Sequence, residues 1–200
     1  MRKTAVLIWL LLLTISWTFC YAEPVLVVQK KFIIYDERPK GNINGYFPYG
    51  FMGDASAVAC QYNWKDNPHS GSYCQRWTYT VKDTVNSGWA GVYWQNPASN
   101  WGDIDGGFNL SNFSKLTFWA RGEKGDEVIS FKMGGIRGTQ FADTALVELP
   151  YVALTQEWKQ YVIDLQGEDL SRIMGGFCWV VEKIRNPNGC IFYLDDIQYE

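Results

Sequence analysis

The sequence predicts an all-β protein, built as an antiparallel two-sheet β-sandwich, and three observations indicate this fold class. Short apolar or alternating runs recur along the chain, clusters of Gly, Asn, Asp and Pro separate them, and no amphipathic stretch is long enough for a three-turn helix. Such runs are typical of strands that pack as two sheets. They cover residues 25–29, 32–35, 57–62, 74–81, 89–95, 115–121, 127–133, 158–164, 177–181 and 190–197.

The run at residues 115–121 shows the alternation most clearly. Leu116 and Phe118 fall on one side of the predicted strand, whereas Trp119 and Arg121 fall on the other. The first side can fill a core. The second displays a ring and a cation outward, which is costly unless another layer or a ligand covers them.

The amino terminus has the pattern of an export signal. Residues 1–3 form a short basic start, residues 5–19 are apolar, and Ala22 precedes a predicted cut before Glu23. We expect residues 1–22 to be a signal peptide and residues 23–200 to form a single domain that is secreted or periplasmic, with no membrane contact after cleavage. A permanent anchor is the alternative, since the apolar stretch is only slightly shorter than the ~20 residues of a spanning helix.

Charge and histidine content exclude several function classes. The chain has 18 Lys and Arg against 21 Asp and Glu, a formal net charge of −3, so we expect no nucleic-acid partner. Its single histidine, His69, lies in a turn cluster. A Ser-His-Asp triad and a multi-histidine zinc site are therefore not expected.

Four cysteines follow the predicted signal: Cys60, Cys74, Cys178 and Cys190. An even number in an oxidising compartment predicts disulfides, and three pairings are possible. We expect the local pairs, Cys60 with Cys74 and Cys178 with Cys190, each stabilising by ~3 kcal/mol in the chain-entropy model. A zinc site made of all four thiolates is the alternative, although the close spacing of such sites is absent.

The aromatic content is the most informative feature of the composition. With 10 Trp, 12 Tyr and 11 Phe, the chain has more rings than a domain of this size easily hides in a dry core. Sugar rings stack on flat aromatic side chains, and their hydroxyls bond to amides and cations. We therefore predict a carbohydrate-binding face, although core packing is the alternative for each ring. The candidate ligand-binding residues are Trp89, Tyr93, Trp94, Trp101, Trp119, Arg121, Lys132 and Trp179.

Several short motifs also follow one another in a characteristic order. Trp89-Ala-Gly-Val-Tyr-Trp-Gln precedes Lys115-Leu-Thr-Phe-Trp-Ala-Arg-Gly, then Gly176-Phe-Cys-Trp and a closing Phe192-Tyr-Leu-Asp-Asp-Ile. Over roughly residues 32–200, this order resembles the jelly-roll carbohydrate-binding modules of the galactose-binding-like fold, which accompany secreted bacterial polysaccharide-degrading enzymes. The resemblance implies a jelly-roll β-sandwich with a concave sugar-binding face and no catalytic machinery. Its expected partners are a polysaccharide or oligosaccharide and a separate glycoside hydrolase.

Similar modules often hold a structural calcium between the beginning and the end of the chain. The matching positions here are Asp36, Glu37, Asp195 and Asp196. Calcium prefers carboxylate and carbonyl oxygens, so the resemblance implies a calcium clamp at these positions. The alternative is that the Asp195-Asp196 carboxylates face solvent and a turn donor.

Two other function classes stay open. Aromatic and Arg enrichment is equally typical of protein interfaces, so an exported protein-interaction or structural sandwich is the first alternative. A glycoside hydrolase or lyase is the second, and it needs two carboxyl groups ~5–9.5 Å apart. Glu182 and the pair Asp103 and Asp105 are candidates, but nothing in their spacing singles them out. We expect a protein that is not an enzyme.

Overall fold

The computed structural model describes residues 31–37, 45–82 and 87–200. Its strands are β1 (Phe32–Tyr35), β2 (Phe47–Gly53), β3 (Val58–Trp64), β4 (Cys74–Tyr79), β5 (Trp89–Gln95), β6 (Lys115–Gly122), β7 (Val128–Gly134), β8 (Leu146–Ala153), β9 (Lys159–Asp164), β10 (Gly175–Glu182) and β11 (Cys190–Tyr199). One 3-10 turn, Ala55–Ala57, is the only helical element in these residues. None of the described helical segments has the length and apolarity to cross a membrane.

The strands form two antiparallel sheets that pack face to face. Sheet A has the order β3-β4-β11-β6-β9, with β1 paired to β11, and sheet B has the order β2-β5-β10-β7-β8. The predicted all-β, two-sheet sandwich is confirmed. The predicted signal peptide and the predicted strand at 25–29 lie outside the described residues.

Aromatic rings from both sheets meet in the core. Trp77 of β4 lies edge-on against Trp94 of β5, with ring centroids 5.5 Å apart, and against Trp179 of β10 at 5.0 Å. Phe118 of β6 meets Phe131 of β7 at 4.5 Å. These contacts join sheet A to sheet B, and edge-to-face ring pairs add about 0.5–1.5 kcal/mol each beyond area burial.

Two strands were not predicted from the sequence, and they are the two edges of sheet B. β2 contains Pro48 and β8 contains Pro150. Proline removes a ladder hydrogen bond, so it is found at sheet edges and masks the strand pattern there. Both strands border the outer face of sheet B.

The predicted disulfides are not formed, and all four cysteines are free thiols. Cys60 lies opposite Trp77 and Cys74 lies opposite Trp64, which separates the two cysteines by roughly 10 Å along the ladder. A disulfide needs Cα atoms within about 7 Å. Cys178 and Cys190 belong to different sheets, and Cys190 packs in the core between them.

Candidate ligand-binding site

The predicted ligand-binding residues lie in three different parts of the sandwich. Trp94 and Trp179 are 1% and 0% exposed and pack in the core, so neither ring can stack on a sugar. This corrects the prediction for these two residues. The other six lie outside the central core cluster and are divided between opposite faces of the molecule. Tyr93 is nevertheless only 3% exposed, so its ring is also closed to a stacking sugar.

The outer face of sheet B is the side of that sheet turned away from the core. One row of residues crosses all five strands there, because the register places them side by side. In order from β2 to β8 the row is Gly50, Tyr93, Cys178, Lys132 and Glu148. Two predicted residues, Tyr93 and Lys132, are therefore brought close together.

Trp101 extends this row from the loop that follows β5. The residue is 36% exposed, and its ring stands edge-on to the Tyr93 ring, with centroids 5.9 Å apart. Buried Asn100 holds the loop, because its Nδ2 donates to the carbonyl of Ile104 at 2.9 Å and its Oδ1 accepts the Gly102 N–H at 2.9 Å. The exposed indole is thus carried on an anchored loop.

Two contacts fix the position of the Tyr93 side chain next to Trp101. Its hydroxyl donates to the carbonyl oxygen of Gly134 at 2.9 Å, and Lys132 Nζ lies 5.2 Å from its ring centroid. Burial raises the pKa of Tyr93, so the phenol stays protonated. Burial also raises the pKa of the neighbouring Cys178 thiol to about 12, which excludes a nucleophilic thiolate at neutral pH.

The next row along this face includes Met52 of β2, whose Cε lies 2.9 Å from the position that a Cβ on Gly91 would take. Gly91, Val180 and Ser130 lie side by side on β5, β10 and β7. A Cβ on Gly91 would come within 2.8 Å of the Trp179 carbonyl oxygen, so no side chain can project there. Trp89, at the start of β5, is half-buried and lies opposite Glu182.

Two further residues beside this face were not predicted. Tyr151 on β8 is 52% exposed, its backbone N–H donates to Ser130 Oγ at 3.0 Å, and the Arg185 guanidinium lies 3.6 Å from its ring centroid. Glu148 lies opposite Lys132. Sequence analysis missed both because Pro150 concealed β8, although the apolar run Leu146–Leu149, interrupted by Glu148, is a signal that could have shown it.

Trp119 and Arg121 lie on the opposite side of the molecule, on the outer face of sheet A. The His69 ring stacks on Trp119 with centroids 3.7 Å apart and an interplanar angle of 17°. The Arg121 guanidinium lies 3.7 Å from the Tyr193 ring centroid and 5.5 Å from that of Trp158. His69 therefore covers the Trp119 ring, whereas the Arg121 guanidinium rests on the rings of Tyr193 and Trp158.

The carboxylates predicted to bind calcium instead hold the loop between β3 and β4. Asp195 Oδ2 accepts the backbone N–H groups of His69 and Ser70 at 3.1 and 3.3 Å. Asp196 accepts from His69 Nδ1 at 2.8 Å and from Ser70 Oγ at 3.0 Å. Burial and the adjacent Asp196 charge raise the pKa of Asp195 to about 6.

Glu37 engages the same loop from the other end of the chain. Its Oε2 accepts the N–H groups of Ser72 and Tyr73, the latter at 2.7 Å, and Asp36 precedes it after β1. No group of three or more His, Cys, Asp or Glu in the described segments is arranged to hold a metal ion. The residues do not fit a calcium clamp in this arrangement, because the Asp195 and Asp196 carboxylates and Glu37 Oε2 already accept hydrogen bonds from residues 69–73.

The carboxylates considered for catalysis have ordinary structural partners. Glu182 pairs with Arg185 Nε at 2.9 Å, and Asp105 Oδ1 accepts the Gly106 N–H of its own turn at 2.9 Å. Asp103 is exposed in the same loop as Asp105. None of these contacts distinguishes a general acid from its neighbours.

Comparison with known proteins shows the fold. No protein-family model and no curated protein matches the sequence. Among solved structures, a family 30 carbohydrate-binding module is similar with a TM-score of 0.57 and 17% identity, covering 86% of this chain and 88% of that chain. A family 11 module from Clostridium thermocellum, in complex with a beta-1,3-1,4-mixed-linked tetrasaccharide, is similar with a TM-score of 0.52 and 14% identity, covering 84% and 94%.

A second Clostridium thermocellum module, the family 30 module of a cellulosomal cellulase, has a TM-score of 0.52 and 16% identity, covering 86% of this chain and 97% of that chain. At these identities the likeness concerns the backbone arrangement. The chain has the two-sheet β-sandwich fold that these carbohydrate-binding modules share.

Proposed function

We propose that this protein is an exported, non-catalytic carbohydrate-binding protein, and that the outer face of sheet B binds a poly- or oligosaccharide. The observation that carries the proposal is the Trp101 ring, which is 36% exposed on an anchored loop directly beside the Tyr93–Lys132 row. An exposed indole on a rigid support offers a flat surface for a pyranose ring at little entropic cost.

Polar groups for sugar hydroxyls lie in the same row. Lys132 and Glu148 are directly opposite on β7 and β8, yet no ion pair within 4.0 Å joins these two described residues. A cationic donor and a carboxylate acceptor are therefore available side by side.

The similar solved structures support this choice of ligand class. The family 30 and family 11 modules have the same fold, and the family 11 structure contains a mixed-linked tetrasaccharide. Mixed-linkage glucan is therefore the first polysaccharide to test, followed by laminarin, xylan and mannan. Export is a further part of the proposal, and the recovered extracytoplasmic protein is expected to begin at Glu23.

Affinity electrophoresis tests the binding face. We expect at least one of the four polysaccharides to retard the protein, and Trp101→Ala to weaken that binding by about tenfold, which corresponds to a loss of ~1.4 kcal/mol for one stacking ring. Tyr49→Ala is the matched control, because Tyr49 is 55% exposed on β2 and is absent from the row. If no polysaccharide retards the protein, or if both variants bind alike, the proposal is wrong.

A protein-interaction role is favoured by one separate observation. Tyr49, Phe51 and Tyr62 are 55%, 40% and 39% exposed on the edge strands β2 and β3. Tyr49 and Tyr62 also line a cavity of about 260 Å³ between these edges. Contiguous exposed rings of this kind are typical of protein contacts. A Tyr49→Ala protein that loses self-association while keeping polysaccharide binding would assign this edge to a partner.

A further inference from the structure

Two arginines on the outer face of sheet A flank a tyrosine. Arg76 on β4 and Arg121 on β6 both lie directly opposite Tyr193 of β11, one on each side. Neighbouring strands are about 4.8 Å apart, so the two arginine backbones are roughly 10 Å apart across the ladder. This row lies on the side of the molecule away from Trp101.

Aromatic rings support both guanidinium groups. Arg76 Cζ lies 4.9 Å from the Trp64 ring centroid, and Arg121 Cζ lies 3.7 Å from that of Tyr193 and 5.5 Å from that of Trp158. Cation–π contacts keep the guanidinium groups in place without neutralising their charge. We call Trp64, Arg76, Tyr193, Arg121 and Trp158 the cationic strip.

Three nitrogen donors in the cationic strip have no acceptor among the residues that the structure describes. They are Trp64 Nε1, Arg76 Nε and Arg121 Nε, all of which are buried. Arg121 as a whole is only 8% exposed. A buried donor without a partner costs free energy, and the cost is larger for a charged group, so this pattern favours an external acceptor.

The described residues supply no carboxylate to either arginine. Neither Arg76 nor Arg121 has an ion pair within 4.0 Å in the part of the chain that the structure describes. Arg76 Nη1 donates instead to neutral oxygens, Gln61 Oε1 at 3.0 Å and Thr78 Oγ1 at 3.3 Å. Glu123 accepts a hydrogen bond from the Tyr193 hydroxyl, which leaves two cations beside one anion.

Other carboxylates on this face are already engaged. Asp195 and Asp196 accept hydrogen bonds from His69 and Ser70. The net positive charge of the cationic strip also contrasts with the chain's formal net charge of −3. The local charge therefore complements an anion, even though the protein as a whole repels anions.

We propose that the cationic strip is a second binding site, and that its ligand is an acidic saccharide containing uronic acid. The ring carboxylate accepts hydrogen bonds from the guanidinium groups, which match a carboxylate in plane and spacing. The pyranose face packs against Trp64 or Trp158. Two cations are too few for a polyphosphate backbone, so a nucleic acid is not the ligand. This site is independent of the neutral-glycan site on sheet B.

Affinity electrophoresis in polygalacturonate or alginate at low salt tests the proposal. We expect the intact protein to be retarded, and the retardation to decrease with added salt, because exposed charges are screened. Arg76→Gln is expected to weaken binding by about tenfold, and Arg76→Lys by less, since lysine keeps the charge but not the planar fork. Mobilities are compared with those in a gel without polysaccharide, which corrects for the altered protein charge.

Two further variants separate this site from the first and from misfolding. Trp101→Ala is expected to keep full retardation by the acidic polysaccharides, because Trp101 lies beside sheet B. Arg121→Gln is expected to weaken retardation while melting cooperatively. If neither acidic polysaccharide retards the intact protein, or if both arginine variants bind as the intact protein does, the proposal is overturned. Equal loss in Trp101→Ala would place acidic binding on sheet B and would also overturn it.

Discussion

Trp119 and Trp101 both project away from the core, yet they have different surroundings. On the outer face of sheet A, His69 lies on the Trp119 ring at 3.7 Å, and the loop carrying His69 is held by Asp195 and Asp196. Beside the outer face of sheet B, Trp101 is 36% exposed and touches Tyr93 only edge-on. An outward ring is therefore available to a ligand only where no loop folds over it.

The same contrast applies to charge. Arg121 is 8% exposed and lies over Tyr193, whereas Lys132 is half-buried and lies opposite the exposed Glu148. The two faces offer different chemistry as a result. Sheet B presents a ring with a separate donor and acceptor, and sheet A presents guanidinium groups supported by rings.

The largest expected effect is a loss of stability when a ring buried between the two sheets is removed. Trp179→Ala removes an indole that is 0% exposed and contacts Trp77, so we expect the free energy of unfolding to fall by about 3–5 kcal/mol. Urea denaturation followed by circular dichroism measures this, with Trp179→Phe as the milder control. A Trp179→Ala protein of normal stability that failed to bind polysaccharide would show that this ring belongs to a binding face after all.

A smaller effect is expected from uncovering the Trp119 ring on sheet A. His69→Ala removes the ring stacked on Trp119 and a hydrogen bond to Asp196, so we expect a loss of about 1–2 kcal/mol and greater quenching of tryptophan fluorescence by iodide. His69→Phe keeps the stack and serves as the control. Unchanged quenching in His69→Ala would mean that the loop does not cover Trp119.

No change is expected on removing divalent cations. Asp195, Asp196 and Glu37 already accept hydrogen bonds from residues 69–73, so a chelator is expected to leave the midpoint of thermal unfolding unchanged. The measurement is a melting curve with excess EDTA against one with added calcium. A higher midpoint of thermal unfolding in calcium would support the predicted calcium site. It would mean that calcium displaces the loop donors from these carboxylates.

Local sequence predicted much of the fold. Strands β1 and β5 have the predicted bounds, and the alternation of β6 places Leu116 and Phe118 in the core and turns Trp119 and Arg121 outward. This succeeded because a strand's side-chain period of two depends only on neighbouring residues. The edge strands β2 and β8 were missed because their prolines resemble turn signals.

The candidate site was predicted less well. Trp89, Tyr93 and Trp94 are close in sequence, but Trp94 faces the core while the other two face outward on β5. The sequence analysis assigned Trp119, Arg121 and Lys132 to one binding face, but the fold places the first two on sheet A and Lys132 on sheet B. The disulfide pairing failed for a related reason, since cysteines on adjacent strands bond only when their register brings them together.

The sequence by itself determined the all-β class, most strand positions and the alternation of sides along β6, because these depend on turn residues and local periodicity. Only the tertiary structure decided which sheet each strand joins and which loop covers which face. Those outcomes depend on contacts between residues far apart in the chain, such as His69 with Asp196 and Tyr93 with Gly134. Whether an outward ring is free to bind follows from that long-range packing.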